Sequence, residues 1–289
     1  MNKPSYPFVS CLCLTRNRPA YLRRAIQCFI SQSYANKELL IVIRDDDHVS
    51  KEIIRSAAGS HIRCLELPCV PKKSLGELRN IAILNCRGDY FCQWDDDDWY
   101  HNDRLEIQVE ALLRHEKSAS ILVKYLMYDA MHEQAYLSPI GPWASSILCK
   151  KDLVNDSISY PPVSLREDSI FLNRLYGVNC LVPVLHPCTY IYVHHGRNTW
   201  NAGHFNRLFA RSKKLSADTS LLVKDILNGD LDNAQASAAL LAPAVLKEMD
   251  YFYFPVPSKR TVLRDLFGGA VFLARLSWRS LARHLRLQR

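Results

Sequence analysis

Four short apolar runs, separated by three amphipathic ones, open this chain and leave it few ways to fold. "FVSCLCLT", "ELLIVIRDDD", "HIRCLELP" and "DYFCQWDDDD" have the length and β-rich content of buried strands. Between them, "RPAYLRRAIQCFISQS", "SKEIIRSAA" and "SLGELRNIAILNCRG" read as helices, with Pro19 suited to a helix start and Gly88 to a stop. Strand–helix alternation of this kind predicts an α/β fold with a mostly parallel sheet and helices on both faces. Ligands bind such sheets at the carboxyl ends of the strands. Two of the four runs end there in acids, Asp45 to Asp47 and Asp95 to Asp98.

The second acidic end is the sharper constraint. In "CQWDDDDWYHNDRLE" four carboxylates stand between Trp94 and Trp99. Like charges on adjacent residues cannot all be buried unless something positive sits among them. A solvated loop is the plain alternative for an acidic run, but the strand ahead of it and the flanking tryptophans weigh against that. A calcium loop of the EF-hand type fails because Tyr100 stands where the sharp turn demands glycine. What remains is a hard divalent cation, Mg²⁺ or Mn²⁺, held by one or two carboxylates and completed by phosphate oxygens. An extended backbone points Asp95 and Asp97 to one face and Asp96 to the other.

That spacing resembles the DxD motif of glycosyltransferases, and its surroundings extend the resemblance. "LTRNRPAYLRRAI" is similar to the opening strand and helix of family 2 glycosyltransferases, and "ELLIVIRDDD" to their second strand. "GELRNIAILNCRGDYFCQWDDDD" resembles their Gly-x-x-Arg-Asn helix running into the DxD strand. "LREDSIFLNRL" resembles the segment carrying the catalytic base, and "YIYVHHGRNTW" the late His-x-x-Asn segment. The five motifs stand in the family's order across about residues 8 to 200. The resemblance implies a GT-A fold, a mostly parallel Rossmann-like sheet flanked by helices and merged with an acceptor-binding half. It implies a metal-dependent, inverting transfer of a sugar from a nucleoside-diphosphate sugar, with a UDP-sugar favoured. The acceptor is a hydroxyl on a glycan or lipid-linked molecule, as in the assembly of cell-surface glycans and polysaccharides. The metal neutralises the leaving diphosphate as a Lewis acid, and one general base takes the acceptor's proton.

Roles follow from position in these motifs. Asp97 is the first choice for direct metal contact, and His195 is favoured over His194 as the second metal or diphosphate contact. Asp95 faces the ribose or the metal's surroundings, and Asp98 orients the loop. Asp96 is the nearest of the four to a spectator; it closes the nucleotide-binding set, which also takes in Thr15, Asn17 and Asn80. Arg79 is placed to pair with donor phosphates as a bidentate donor. Asp168 matches the catalytic base, with Glu167 as the alternative; a charge favoured by a helix N-terminus is the plain reading of both. The second-strand acids depart from the family, which reads Asp-Asp-Gly-Ser where this chain has "RDDDHVS". Asp46 is the first choice for the nucleotide there, with Asp45 and Asp47 next. Trp143 and Trp200 stand equally for faces that stack on sugar rings and for core.

After the helix "NDRLEIQVEALLRHEKSA" the pattern changes. "SILVKYLMYDA", "SSILCKKDL" and "CLVPVLHPCTYIYVHHG" read as further strands, some antiparallel, and 206–249 reads as helical. The expected organisation is a glycosyltransferase domain over 1–205, a helical extension over 206–258 and a basic amphipathic C-terminal helix over 259–289. The net charge of +8 sits mostly in that last segment, where Asp265 is the one acid. Its arginines gather on one side of a helical wheel, which suits docking on the domain or lying in an anionic membrane surface. The near-neutral body argues against nucleic acid as a partner. No apolar run reaches the roughly 18 residues of a bilayer span, and the start lacks a signal-peptide pattern. The chain is therefore expected in the cytoplasm, with peripheral attachment at the membrane's cytoplasmic face. Its ten cysteines include no CxxC pair and are expected as reduced core residues. A sugar-nucleotide nucleotidyltransferase would need a Gly-rich loop after the first strand, which "LTRNRPAY" lacks. A non-catalytic carbohydrate- or lipid-binding module with a decayed site would not be expected to retain Asp95, Asp97 and Asp168.

Overall fold

The first strand, β1 (Val9–Leu14), is buried along almost its whole length, as an unbroken apolar run in a covered sheet must be. In the computed structural model, which describes residues 6–57, 59 and 61–251, the chain leaves β1 into α1 (Pro19–Ile30), with proline in the first turn. It returns through β2 (Lys37–Arg44). Next comes α2 (His48–Ser56), which Asp47 caps by accepting the Ser50 N–H at 3.0 Å. After β3 (Ile62–Leu67), α3 (Leu75–Asn85) starts from a capping box between Ser74 and Glu77. Strand β4 (Tyr90–Gln93) then leads into the four aspartates.

The described residues that follow form β5 (Trp99–Tyr100), α4 (Arg104–His115), β6 (Ala119–Lys124), β7 (Leu126–Asp129), β8 (Gln134–Leu137), β9 (Leu148–Lys150), α5 (Glu167–Gly177), β10 (Leu181–Leu185) and β11 (Tyr190–His194). They continue through α6 (Ala202–Ala210), β12 (Lys213–Lys214), α7 (Ala217–Asn228), α8 (Asn233–Leu240) and α9 (Pro243–Glu248). A seven-stranded sheet has the order β10-β6-β9-β4-β1-β2-β3. Only β9 runs antiparallel to its neighbours, so the sheet is mostly parallel, as the alternation predicts. A second sheet has the order β12-β8-β7-β11-β5.

The two later apolar runs do something that periodicity does not show. "SILVKYLMYDA" divides at Tyr125, with β6 in the first sheet and β7 in the second. Tyr125 is pinned at the break, its N–H donating to Ser138 Oγ at 3.1 Å and its carbonyl accepting the Ser138 N–H at 3.0 Å. "CLVPVLHPCTYIYVHHG" also divides, with a 3-10 turn at Pro187–Thr189 between β10 and β11. Because β6 lies parallel to β10 and β7 parallel to β11, a two-stranded ribbon runs through both sheets.

The boundary expected at residue 205 falls within α6. Beyond it Phe209, Val223, Ile226, Leu240 and Met249 are buried in the same cluster as Val9, Trp94 and Tyr100, so the helical extension closes the core of the domain before it. The basic segment 259–289 lies outside the described residues. Among the described residues no helix is long and apolar enough to cross a membrane. All ten cysteines are unpaired, and all but Cys64 and Cys69 are buried.

Candidate active site

Strands β1 and β4 are neighbours in register, Leu12 beside Gln93, so the loops that follow them meet. Extended geometry stops at Gln93, and Asp96 and Asp97 lie in a turn. All four aspartates consequently border one cavity of roughly 360 Å³, together with Thr15, Arg18, Arg79, Asp168 and Trp143. That volume is in the range of small-molecule sites. The strand alternation that turned Asp96 away does not apply within a turn. Asp96 accepts the Thr15 hydroxyl at 2.6 Å and Arg18 Nη1 at 3.2 Å.

The four carboxylates are electrostatically unequal. Burial pushes Asp98 well above the usual carboxylate range, and it faces inward, accepting the Tyr190 hydroxyl and the Val193 N–H. Burial, with Asp97 beside it, pushes Asp96 up to about 6. Burial also raises Asp95, against the pull of Arg79. Asp97 is half-buried, which raises it, yet the hydrogen bond from His195 and the charge of Arg18 draw it below the usual range. Asp97 is thus the carboxylate most firmly held as an anion. The cations answering the cluster are Arg18, at 2.9 Å from Asp97 Oδ2, and Arg79, at 3.2 Å from Asp95 Oδ1. Arg24 adds a hydrogen bond to the Asp97 carbonyl at 2.5 Å.

Another part of the wall comes from the first turn of α5. There Asp168 faces the cavity, and its Oδ2 accepts the Ser145 hydroxyl at 3.4 Å. Glu167 is buried beside it and paired with Arg79 Nε at 3.3 Å. Burial raises the Glu167 carboxyl, with Arg79 opposing the shift. Gly76 allows α3 to approach this wall, since a Cβ there would stand 1.8 Å from the Pro161 carbonyl oxygen. Trp143, Tyr192 and Trp200 line the same cavity. Trp143 also packs on Tyr125 and Tyr192, and Trp200 stacks on His204, so each ring serves the core and the cavity together.

Several residues named from sequence take other places. Arg79 lines the cavity with its Nε on Glu167 and its Nη2 on Asp95. Asn80 faces away from the cavity and clasps the backbone of Tyr160, donating to its carbonyl at 2.8 Å and accepting its N–H at 3.0 Å. Asn17, at a positive φ of 52°, contributes its N–H to Asp47 at 2.6 Å, because Asp47 ties the first loop to the second. Asp46 lies outside the cavity and pairs with Arg16 at 3.1 Å. Asp45 accepts the Cys69 N–H at 3.1 Å. Among the described residues, Asp45, Asp46 and Cys69 are the one set of three His, Cys, Asp or Glu side chains whose potential ligand atoms lie within 4.8 Å of one another, and both acids are exposed.

His195 does meet Asp97, its Nε2 lying 3.1 Å from Oδ2. Its Nδ1, however, accepts the Arg197 N–H at 3.2 Å, which assigns the ring proton to Nε2. In this tautomer His195 donates to Asp97. His194 turns the other way, onto Asp129 at 3.1 Å and against Phe205.

Sequence reasoning missed two cations. Arg18 precedes the helix-starting Pro19 at the cleft end of β1, and that placement was the available signal. Arg104 is fully buried, with its guanidinium over the rings of Tyr100 (4.5 Å), Trp94 (5.1 Å) and Tyr190 (5.5 Å) and donating to the Gln93 carbonyl at 3.0 Å. It fixes the end of β4 through π faces, and nothing local in the sequence marks it.

Comparison with known proteins places this geometry. Residues 10–158 match the family model described as glycosyl transferase family 2. An uncharacterized glycosyltransferase of Haemophilus influenzae is 30% identical over 108 residues, which is 37% of this chain and 43% of that protein. Glycosyltransferase GlyA of Streptococcus pneumoniae is 26% identical over 121 residues, 42% of this chain and 17% of that protein. The chain thus matches less than half the length of either relative. Among solved structures, S. aureus TarS 1-349 in complex with UDP-GlcNAc superposes with a TM-score of 0.54 at 17% identity, covering 81% of this chain and 71% of that one. Mannosyltransferase PcManGT from Pyrobaculum calidifontis, in complex with GDP-Man and Mn²⁺, gives 0.53 at 14%, covering 86% and 73%. At these identities the likeness concerns the fold.

Proposed function

Because the chain belongs to glycosyl transferase family 2 and has the GT-A fold, we propose that it transfers a sugar from a nucleoside-diphosphate sugar to a hydroxyl acceptor with inversion. The observation that carries the reading is that one cavity of small-molecule size is lined by both Asp97, from the β4 loop, and Asp168, from α5. An inverting displacement needs charge stabilisation on the leaving-group side and a base on the acceptor side. The nucleotide sugars named with TarS and PcManGT support a donor of this class.

The donor set fits a hard divalent ion. Arg79 takes one oxygen of Asp95, and Arg18 and His195 share one oxygen of Asp97. Asp95 and Asp97 would hold Mg²⁺ or Mn²⁺ together with diphosphate oxygens. When bound, the ion supplies Lewis-acid stabilisation of the leaving diphosphate. His195 steadies Asp97 by donating to it. Asp168 takes the acceptor's proton; Glu167, tied to Arg79, is not free to do so. Thr15 and Asp96 form the nucleotide side, where a UDP-sugar is favoured. Trp143, Tyr192 and Trp200 offer faces to the sugar of a glycan or lipid-linked acceptor, consistent with work in cell-surface polysaccharide assembly. The basic segment 259–289 would hold the enzyme at the cytoplasmic face of an anionic membrane, each basic residue adding on the order of 1 kcal/mol near the surface.

The test is to incubate the protein with a panel of nucleotide sugars and Mn²⁺ and to measure nucleoside diphosphate release. Turnover is expected to vanish in excess EDTA and in Asp97→Ala, with circular dichroism unchanged. Full activity in EDTA would remove the metal from the reading, and no release from any donor would remove the transferase.

A further inference from the structure

The two arginines facing the aspartates are held very differently. The Arg79 side chain is 7% exposed and gripped from both sides by Asp95 and Glu167. Its departure would strand the buried carboxylate of Glu167 and the half-buried one of Asp95, so it is a fixed charge. The Arg18 side chain is 31% exposed, on the cavity side. It sits at the N-cap of α1 but makes no side-chain capping bond to that helix. Its Nη1 reaches Asp97 Oδ2 at 2.9 Å and Asp96 Oδ1 at 3.2 Å, and its Nη2 reaches the Arg197 carbonyl at 3.2 Å.

We propose that Arg18 is an exchangeable counter-cation of the aspartate loop, holding Asp96 and Asp97 until a divalent ion takes Asp97 and then passing to the donor's diphosphate. This rests on reading Asp97 as the metal contact. A guanidinium and a divalent ion beside one carboxylate repel each other, so each weakens the other's hold. Asp96 is not abandoned in the exchange, because Thr15 still donates to it at 2.6 Å. The guanidinium fork matches diphosphate oxygens in shape and charge, and Arg18 already lines the cavity where a diphosphate would lie. Leaving Asp97 also releases the Arg197 carbonyl, so metal binding loosens the 195–200 segment over the cavity at the moment the donor must enter.

The exchange predicts opposite signs in two binding measurements. Mn²⁺ alone, followed through the electron paramagnetic resonance of the free ion, should bind Arg18→Ala more tightly than wild type. The gain should be about two- to fivefold, the worth of a partly exposed ion pair. UDP and GDP at saturating Mn²⁺ should bind the same variant more weakly. Arg18→Lys keeps the charge without the fork, so its Mn²⁺ affinity should stay near wild type while the nucleotide loss remains. A purely structural role would weaken both ligands or neither. If Arg18→Ala binds Mn²⁺ no more tightly than wild type while Asp97→Ala binds it more weakly, the exchange is overturned and the metal contact stands. If Asp97→Ala binds Mn²⁺ as wild type does, both fall.

Discussion

Replacing Arg79 with methionine, which keeps most of the length of the side chain and removes its charge, should cost roughly 3–5 kcal/mol of stability at pH 8, the range for breaking a buried ion pair. Arg79 and Glu167 are 7% and 5% exposed, so water screens that pair little. Burial already lifts Asp95 and Glu167 above the usual carboxylate range, and the guanidinium opposes the lift. Without it, both folded-state values rise further above the unfolded ones. A carboxyl raised on folding stabilises the protein below its unfolded pKa and loses that contribution as pH rises through its folded pKa. The deficit of Arg79→Met should therefore be largest at pH 8 and should shrink toward pH 5. At about 2–4 °C for each kcal/mol in a domain of this size, Tm should fall by about 6–20 °C at pH 8. Thermal melts of both proteins by circular dichroism at the two pH values measure it directly. Adding Glu167→Gln should restore part of the loss, since it removes one stranded carboxylate. An equal deficit at both pH values, or one under about 1 kcal/mol, would refute the idea that Arg79 is a fixed counter-charge.

Asp168→Asn should abolish transfer while leaving the affinity for nucleoside diphosphate in Mn²⁺ unchanged, because the base acts on the acceptor; equal losses in rate and donor affinity would move Asp168 to the nucleotide side. Asn80→Ala should destabilise the fold by about 1–3 kcal/mol, through the unpaired backbone of Tyr160, with nucleotide affinity intact in titration calorimetry. Flotation with anionic liposomes should recover the full chain and leave a chain ending at Ser258 behind, with recovery falling as salt rises; equal recovery of both would detach the basic segment from membrane binding.

What could be read from sequence was whatever is written locally. Strand–helix alternation and acids at strand ends placed the sheet and one side of the cavity. What could not be read depends on partners far apart in the chain. Arg18 meets Asp97 across 79 residues and Asp98 meets Tyr190 across 92, and no periodicity announces such pairs. Runs of identical residues also hide division of labour. In Asp45–Asp47 the last acid is a helix cap, the middle one an exposed ion pair and the first a loop tie. The rule that strand residues alternate failed for Asp96 because the strand had already ended. The break at Tyr125 was invisible because the apolar pattern continues straight through it.

The ribbon formed by β6 with β10 and β7 with β11 has a mechanical meaning. Two parallel struts, each a nearly continuous length of chain, cross from the sheet that carries the aspartates to the second sheet. Such a frame resists shear and bending between its halves, because either motion would have to tear strand pairing in both sheets. Opening and shutting by a swing of whole lobes is the usual motion where a single linker joins two units, and two such struts oppose it here. The work of admitting a donor and excluding water falls to short segments mounted on a stiff chassis, the 195–200 turn above all. The rate at which products leave should then follow the stiffness of that turn and be insensitive to substitutions in the frame.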